Sequence, residues 1–239
     1  MTAVATLTVN GVAVSARPGE TLLDVCRVQC VPVPTLCHLD GLSDVGACRL
    51  CLVEVKGAPR PQAACATLAR EGMEVQTDTE RLRRHRRMIL ELLLAEGSHV
   101  CAVCTASGAC ELQALAAALG VESVRFPYRH PATAVDASHP RYVLDPGRCV
   151  LCTRCVRVCD ELEGAHTWDV AGRGERSHVV TDLAVPWALA SSCTGCGKCV
   201  QVCPTGALLE QGAIQGQVVK DRGVVAALRR AREERAWTR

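Results

Sequence analysis

Two runs decide how this chain is built. The first is Cys149-Val150-Leu151-Cys152-Thr153-Arg154-Cys155-Val156-Arg157-Val158-Cys159. The second is Cys193-Thr194-Gly195-Cys196-Gly197-Lys198-Cys199-Val200-Gln201-Val202-Cys203, followed by Pro204. Both read C-x2-C-x2-C-x3-C. Two residues between ligands let one loop wrap one face of a metal core, with backbone N–H groups turned toward its sulfurs. The fourth cysteine is expected to start a helix that leads away and reaches a neighbouring core. The spacing therefore groups Cys149, Cys152, Cys155 and Cys203 around one centre, and Cys193, Cys196, Cys199 and Cys159 around the next. Pro204 has no N–H for a sheet ladder and fixes the turn after Cys203. Asp160 holds the matching place in the first run, a small departure from the pattern. Zinc is the plainer alternative, but zinc motifs separate two C-x2-C pairs by a long gap. Four thiols packed so closely, twice over, do not suit one tetrahedral ion each.

The doubled run is the bacterial ferredoxin spacing that holds two [4Fe–4S] cubanes. Composition agrees with that chemistry. The chain has 239 residues and 17 cysteines. No basic, apolar leader opens it and no apolar stretch is long enough for a membrane span, so a cytoplasmic location is expected. In a reducing compartment so many cysteines are metal ligands or redox centres sooner than disulfides. The odd count points the same way. Charge is nearly balanced, 27 Lys+Arg against 25 Asp+Glu, which gives no electrostatic footprint for nucleic acid. Aromatics make up only 3%, so the core is built from Leu, Val and Ala with added rigidity from elsewhere.

Upstream, Cys37, Cys48, Cys51 and Cys65 form a set spaced C-x10-C-x2-C-x13-C. Their context reads as a β-grasp: a strand over 5–9, an Asn10-Gly11 type I′ turn, a return strand over 12–16, and a helix over 20–29. A further strand is expected over 52–56, with Cys65 at the far end of the sheet. Three ligands in a loop and one distant is the logic of a [2Fe–2S] site, although the spacing is not the plant one. Cys26 and Cys30, one turn apart on the helix, are expected to be buried apolar side chains. His38 is expected to donate a hydrogen bond near the centre or sit at the surface.

A remaining set is His99, Cys101, Cys104 and Cys110, spaced H-x-C-x2-C-x5-C. Neutral imidazole can replace a thiolate on iron, and does so in Rieske centres. On spacing alone His99 competes with Cys26 and Cys30 for the fourth place, and an ordinary surface histidine is the bland reading.

The order of these motifs resembles the N-terminal region of the complex I 75-kDa-type subunit, the accessory region of [FeFe] hydrogenases, and NAD-linked formate dehydrogenases. Gly97-Ser98-His99-Val100-Cys101, Cys110-Glu111-Leu112-Gln113 and the chain end at Arg239 are most similar to the small diaphorase subunits of soluble NAD-reducing [NiFe] hydrogenases. Many relatives place three residues between this His and the next Cys; the single residue here is what the hydrogenase branch shows. The resemblance implies His99 as a ligand, one [2Fe–2S] cluster and three [4Fe–4S] clusters. It implies an electron relay between a hydrogenase module and a flavin/NAD-binding diaphorase subunit, with the NiFe hydrogenase small and large subunits as further partners. The alternative is the relay subunit of an NAD-linked formate dehydrogenase or another NADH-oxidoreductase complex. It also implies that the [2Fe–2S] centre lies off the main line.

No G-x-G-x-x-G follows a strand and no P-loop is present, so no NAD or FMN site and no catalytic substrate site are expected. The fold class is α+β in three parts: residues 1–78 as a β-grasp [2Fe–2S] domain, 79–120 as a helical segment with the one-His/three-Cys [4Fe–4S] site, and 121–239 as a linker, a two-[4Fe–4S] ferredoxin-like domain and a C-terminal helix. Within the last part, 125–146 carries Pro127, Pro131, Pro140 and Pro146 and reads as a linker. A hairpin is expected around Gly172-Arg173-Gly174. A helix over 79–95 carries Arg81, Arg83, Arg84, Arg86 and Arg87 against an apolar face of Ile89, Leu92 and Leu93. Its arginines are a solvated face or a docking surface. A helix over 110–119 follows. An amphipathic helix over 221–239, ending with Trp237, packs on its own domain or on a partner.

Overall fold

A computed structural model describes residues 4–129 and 133–234. His130, Pro131 and Trp237 lie outside them. The chain begins with strands β1 (Ala5–Val9) and β2 (Val12–Ala16), paired antiparallel from Ala5↔Ala16 to Val9↔Val12. Asn10 and Gly11 both take positive φ, 52° and 84°, the requirement of a type I′ turn. Alternation puts Leu7, Val9, Val14 and Ala16 inside. Helix α1 (Leu22–Val28) opens on a reciprocal capping box between Thr21 and Asp24. It is shorter than the sequence suggests, because Cys30 turns to φ 55°. Cys26 is buried as expected, but Cys30 is exposed; the left-handed turn carries it off the buried face.

Strands β3 (Leu52–Val55), β4 (Gln62–Ala63) and β5 (Glu74–Gln76) complete a five-stranded sheet in the order β2-β1-β5-β3-β4. β5 runs parallel to β1 and antiparallel to β3. α1 lies on this sheet, sealed by Leu22, Leu23, Val25 and Cys26.

Helix α2 (Glu80–Glu96) is capped by Thr79. Its buried face is Leu82, Arg86 and Leu90, while Leu92 is exposed. The unexpected member is Arg86. Its guanidinium donates to Leu50 O, Leu52 O and Thr77 O, so it ties α2 to the end of the sheet. Arg81 and Arg83 pair with Glu54 and Asp78, and Arg87 donates to Leu119 O. Much of the basic run is thus bound within the chain. Helix α3 (Glu111–Ala118) packs against α2 through Leu36, Leu50, Leu90 and Leu112.

The C-terminal part is built on β6 (Tyr142–Leu144) and helix α4 (Arg154–Arg157), which runs on as a π turn over Val158–Glu163. A hairpin of β7 (Trp168–Ala171) and β8 (His178–Thr181) follows, then α5 (Lys198–Val202) and β9 (Leu208–Glu210), antiparallel to β6. The helix placement corrects the sequence reading. Each helix begins before the fourth cysteine of its run: Cys155 is in α4 and Cys159 in the π turn that continues it, while Cys199 is in α5 and Cys203 is its C-cap. Four residues of helix rise about 6 Å, roughly one turn, so third and fourth cysteines share a side but sit at different heights.

Helix α6 (Gly223–Glu233) folds back onto its own chain. Val225 is buried in the C-terminal core. Arg229 binds Glu161 and Gly41 O, and Arg232 donates to Glu161 O. Gly41 has φ +90°, and a Cβ there would lie 2.9 Å from Ala226 Cα. Gly41→Ala is therefore expected to cost at least about 1 kcal/mol from the left-handed backbone alone and to loosen α6. Faster amide exchange over 223–233 checks this; unchanged protection contradicts it.

Candidate metal centres

The loop 36–50 carries Cys37 and Cys48, Cys51 stands at the mouth of β3, and Cys65 is in the short turn after β4. The register Leu52↔Ala63 folds Cys65 back beside Cys51, with the two Sγ atoms 3.4 Å apart. Cys65 is therefore not remote from the others. Cys48 N–H donates to Cys37 Sγ at 3.4 Å. Cys37, Cys51 and Cys65 are buried. The hydrogen bond with Cys37 draws Cys48 down to about 6, and that with Cys65 draws Cys51 down to about 7. Thiolate, the form that binds metal, is thus favoured at two of the four sulfurs. His38 is buried and uses both ring nitrogens, on Asp44 at 2.6 Å and Asp40 at 3.1 Å. Neither nitrogen is left for a metal.

The second set surrounds a cavity of about 260 Å³. His99, Cys101, Cys104 and Cys110 line it, with Arg148, Thr205 and Gly206 on the facing wall. His99 Nε2 is buried and has no hydrogen-bond partner among the described residues. Burial, then the charge of Arg148, depress its pKa to about 4, which favours the neutral imidazole, the form that binds metal. The strand of chain that carries it is pinned by Ser98 N donating to Gly147 O at 2.6 Å. Neither Cys26 nor Cys30 lines this cavity.

Cys149, Cys152 and Cys155 share a loop that enters α4. Burial first, with the negative charge of Cys203 adding to it, pushes Cys149 to about 11 and Cys152 to about 12. Burial and the charges of Cys152, Cys149 and Cys203 raise Cys155. On the other side, Cys159, Cys193, Cys196 and Cys199 line one small cavity with Trp168 and Trp187. Cys159 thus lines the cavity of the second run, and Cys203 lies close enough to Cys149, Cys152 and Cys155 for its charge to act on them. Donors point at the sulfurs: Leu151 N to Cys149, Thr167 N to Cys159, and Trp187 Nε1 to Cys193, at 3.3–3.4 Å. Positive φ recurs at matching places, Leu151 and Thr153 in one loop, Gly195 and Gly197 in the other. Such backbone turns aim successive N–H groups into one concavity.

The sequence reading missed the arginines. Arg154 and Arg157, buried on α4, reach across to the first centre. Arg154 donates to His38 O at 2.7 Å and forks onto Glu111 at 2.7 and 2.9 Å. Arg157 donates to Cys37 O at 2.6 Å, Cys152 O at 3.0 Å and Ser43 O. The signal was present as two arginines three apart inside an otherwise apolar ligand helix.

An iron–sulfur core needs thiolates or imidazole around a volume, with N–H groups directed at sulfur. The cavity with an unpartnered imidazole nitrogen and the amide-to-sulfur contacts fit that need. Among the described residues, no three His, Cys, Asp or Glu side chains converge as a lone ion would require.

Three known protein families match this chain in succession. Residues 2–80 match the 2Fe-2S iron-sulfur cluster binding domain, 86–125 the NADH-ubiquinone oxidoreductase-G iron-sulfur binding region, and 140–209 the ferredoxin-like domain of NADH-quinone oxidoreductase subunit 3. The chain is 36% identical over 205 residues to an NADPH-Fe(3+) oxidoreductase subunit alpha of Geobacter sulfurreducens, covering 86% of this chain but only 24% of that protein. With the NAD-reducing hydrogenase HoxS subunit gamma of Cupriavidus necator it shares 34% identity over 206 residues, 86% of each chain. A crystal structure of NAD+-reducing [NiFe]-hydrogenase in the H2-reduced state contains a chain that superposes with a TM-score of 0.84 at 37% identity, covering 90% of this chain and 91% of that one. No helix among the described residues is long and apolar enough to cross a membrane. On likeness that runs through nearly the full length of both chains, this protein belongs to the iron–sulfur family that includes the gamma subunit of NAD-reducing hydrogenase.

Proposed function

We propose that this chain is an iron–sulfur electron relay within an NAD-reducing hydrogenase, an oxidoreductase assembly in which it contributes no substrate site of its own. The observation that carries this is the placing of His99, Cys101, Cys104 and Cys110 around one cavity and of Cys159, Cys193, Cys196 and Cys199 around another. Cys37, Cys48, Cys51 and Cys65 would hold a [2Fe–2S] cluster. His99, Cys101, Cys104 and Cys110 would hold a [4Fe–4S] cluster. Cys149, Cys152, Cys155 and Cys203 would hold another, and Cys193, Cys196, Cys199 and Cys159 a third. Such clusters, when bound, take up and release one electron without moving atoms of a substrate. The residues of this chain then do three things. They fix the ligands on short helices and turns, they shield the sulfurs from water, and they aim N–H dipoles that set each potential. The division into residues 1–78, 79–120 and 121–239 follows the ligand sets, with the loop 36–50 shared between the first part and the others.

The partners are a flavin/NAD-binding diaphorase subunit and the small and large subunits of a NiFe hydrogenase, in the cytoplasm. Likeness to a putative formate dehydrogenase of Bacillus subtilis, 34% over 182 residues and 18% of that protein, keeps a formate-linked complex as the second reading. Co-purification separates them: NiFe subunits support the first, a molybdenum- or tungsten-type formate enzyme the second.

His99→Cys adds a fourth thiolate charge. It is expected to keep the cluster but lower that centre's midpoint potential, because added negative charge disfavours the reduced state. An unchanged potential in an EPR-monitored titration argues against imidazole ligation. Gly97→Ala should remove the cluster from this site alone, since a Cβ there would stand 2.6 Å from His99 Nε2 and 2.7 Å from Gly147 O. Iron content and the EPR signal of this centre report it; full retention of both contradicts it.

A further inference from the structure

We propose that Arg148 is the tuning residue of the His99 centre, holding its potential up by donating a hydrogen bond from Nη1 to sulfur there. The inference rests on the cluster reading above and goes beyond it by assigning the cation that sets this centre apart.

Two buried polar atoms facing the same cavity have no partner among the described residues: His99 Nε2 and Arg148 Nη1. The first is a lone pair awaiting a metal, and the second is a donor awaiting an acceptor. A guanidinium N–H is rarely left unpaired once it is out of water. The rest of Arg148 is held firmly. Its Nε donates to Asp145 Oδ2 at 2.7 Å, and Asp145 Oδ1 accepts from Gly147 N at 3.0 Å. Its carbonyl accepts from Thr205 Oγ1 at 2.8 Å. With the stem and Nε fixed, only the fork end is free to reach a ligand in the cavity.

Gly206 shows how close the approach is. A Cβ on it would lie 3.0 Å from Cys104 Sγ and 3.5 Å from Arg148 Cδ. The missing side chain lets the ligand sulfur and the arginine stem share one wall.

Reduction adds one electron to the centre, and Arg148 gives up no proton. A fixed positive charge and an N–H aimed at sulfur both favour the state with the extra electron. Asp145, on the far side of the guanidinium, opposes this in part. Arg148 also immediately precedes Cys149, so one short turn carries both the tuning group of one centre and a ligand of the next. This position suits a residue that sets the driving force between the two.

The test is an EPR-monitored redox titration of the cluster-loaded protein. In Arg148→Met the reduced-to-oxidised ratio of the His99 centre at a fixed potential should fall about tenfold, equivalent to ~59 mV for a one-electron couple. Arg148→Lys should restore part of it. Asp145→Asn, which keeps an acceptor for Gly147 N, should shift the same centre the opposite way. An unshifted midpoint in Arg148→Met with full iron content overturns the proposal. If Arg148→Met does not load its cluster, Asp145→Asn and Arg148→Lys decide: a midpoint equal to wild type in both overturns it, and shifts of opposite sign support it. If the wild-type protein has no fourth cluster signal at all, the ligand assignment fails first, and Arg148 falls with it.

Discussion

Chelating the iron is expected to unfold this protein. In the C-terminal part, Cys155, Cys159, Cys199 and Cys203 are members of the hydrophobic core itself, beside Val158, Val202 and Trp187. Aromatic residues make up only 3% of the sequence, so few large side chains are available to fill the space that a lost core would leave. The ligand loops are also conformationally costly. Arg49, Leu151 and Thr153 are non-glycine residues with φ near +50°, each disfavoured by about 1–2 kcal/mol. A structural zinc site in a zinc-finger peptide contributes on the order of 10–16 kcal/mol, against a typical net protein stability of about 5–15 kcal/mol. Loss of even one proposed centre of comparable strength would match that margin. Loss of the native far-UV spectrum and of a cooperative melt after iron removal is the expected outcome. A native-like spectrum with a sharp melt contradicts it.

Replacing Arg157 by Met should be the most damaging single substitution outside the ligands. Its guanidinium is buried and holds the backbone carbonyls of Cys37, Ser43 and Cys152. These carbonyls belong to irregular loops with no ladder partner, so removal strands two buried acceptors, on Cys37 and Cys152, and a half-buried one on Ser43. Breaking a buried charge-assisted network typically costs about 3–5 kcal/mol. Lysine should not rescue it, because one ammonium cannot reproduce the spread of a planar fork. Denaturant unfolding of the loaded protein checks this: a loss within about 0.5 kcal/mol, the ordinary range of surface changes, contradicts it. Arg154→Met should act in the same direction through His38 O and Glu111.

Much of this architecture is legible in the sequence because its determinants are local. The Asn10-Gly11 turn, the Thr21–Asp24 cap, the Thr79 cap and the glycines of the 172–174 hairpin each fix their backbone within a few residues. The cysteine runs are legible for the same reason, since cluster geometry imposes spacing directly on the chain. What sequence periodicity could not supply is long-range closure. Arg86 belongs to a run that reads as a solvated face or a docking surface, and nothing in the sequence singles out Arg154 or Arg157, yet all three are buried and donate to carbonyls far away in the chain, on Leu50, His38 and Cys37. Cys30 was misplaced because its left-handed φ has no marker in a cysteine. The helices of the two ferredoxin runs were set one element late, since the spacing gives the residues between ligands but not which of them are helical.

Four clusters held by one imidazole and fifteen thiolates would fix the iron content of this chain. Iron and acid-labile sulfide counts on the purified protein, paired with EPR of the reduced state, test it most directly. About 14 iron and as many sulfides per chain are expected, with one [2Fe–2S] signal and three [4Fe–4S] signals. A colourless protein that carries zinc and no sulfide contradicts it.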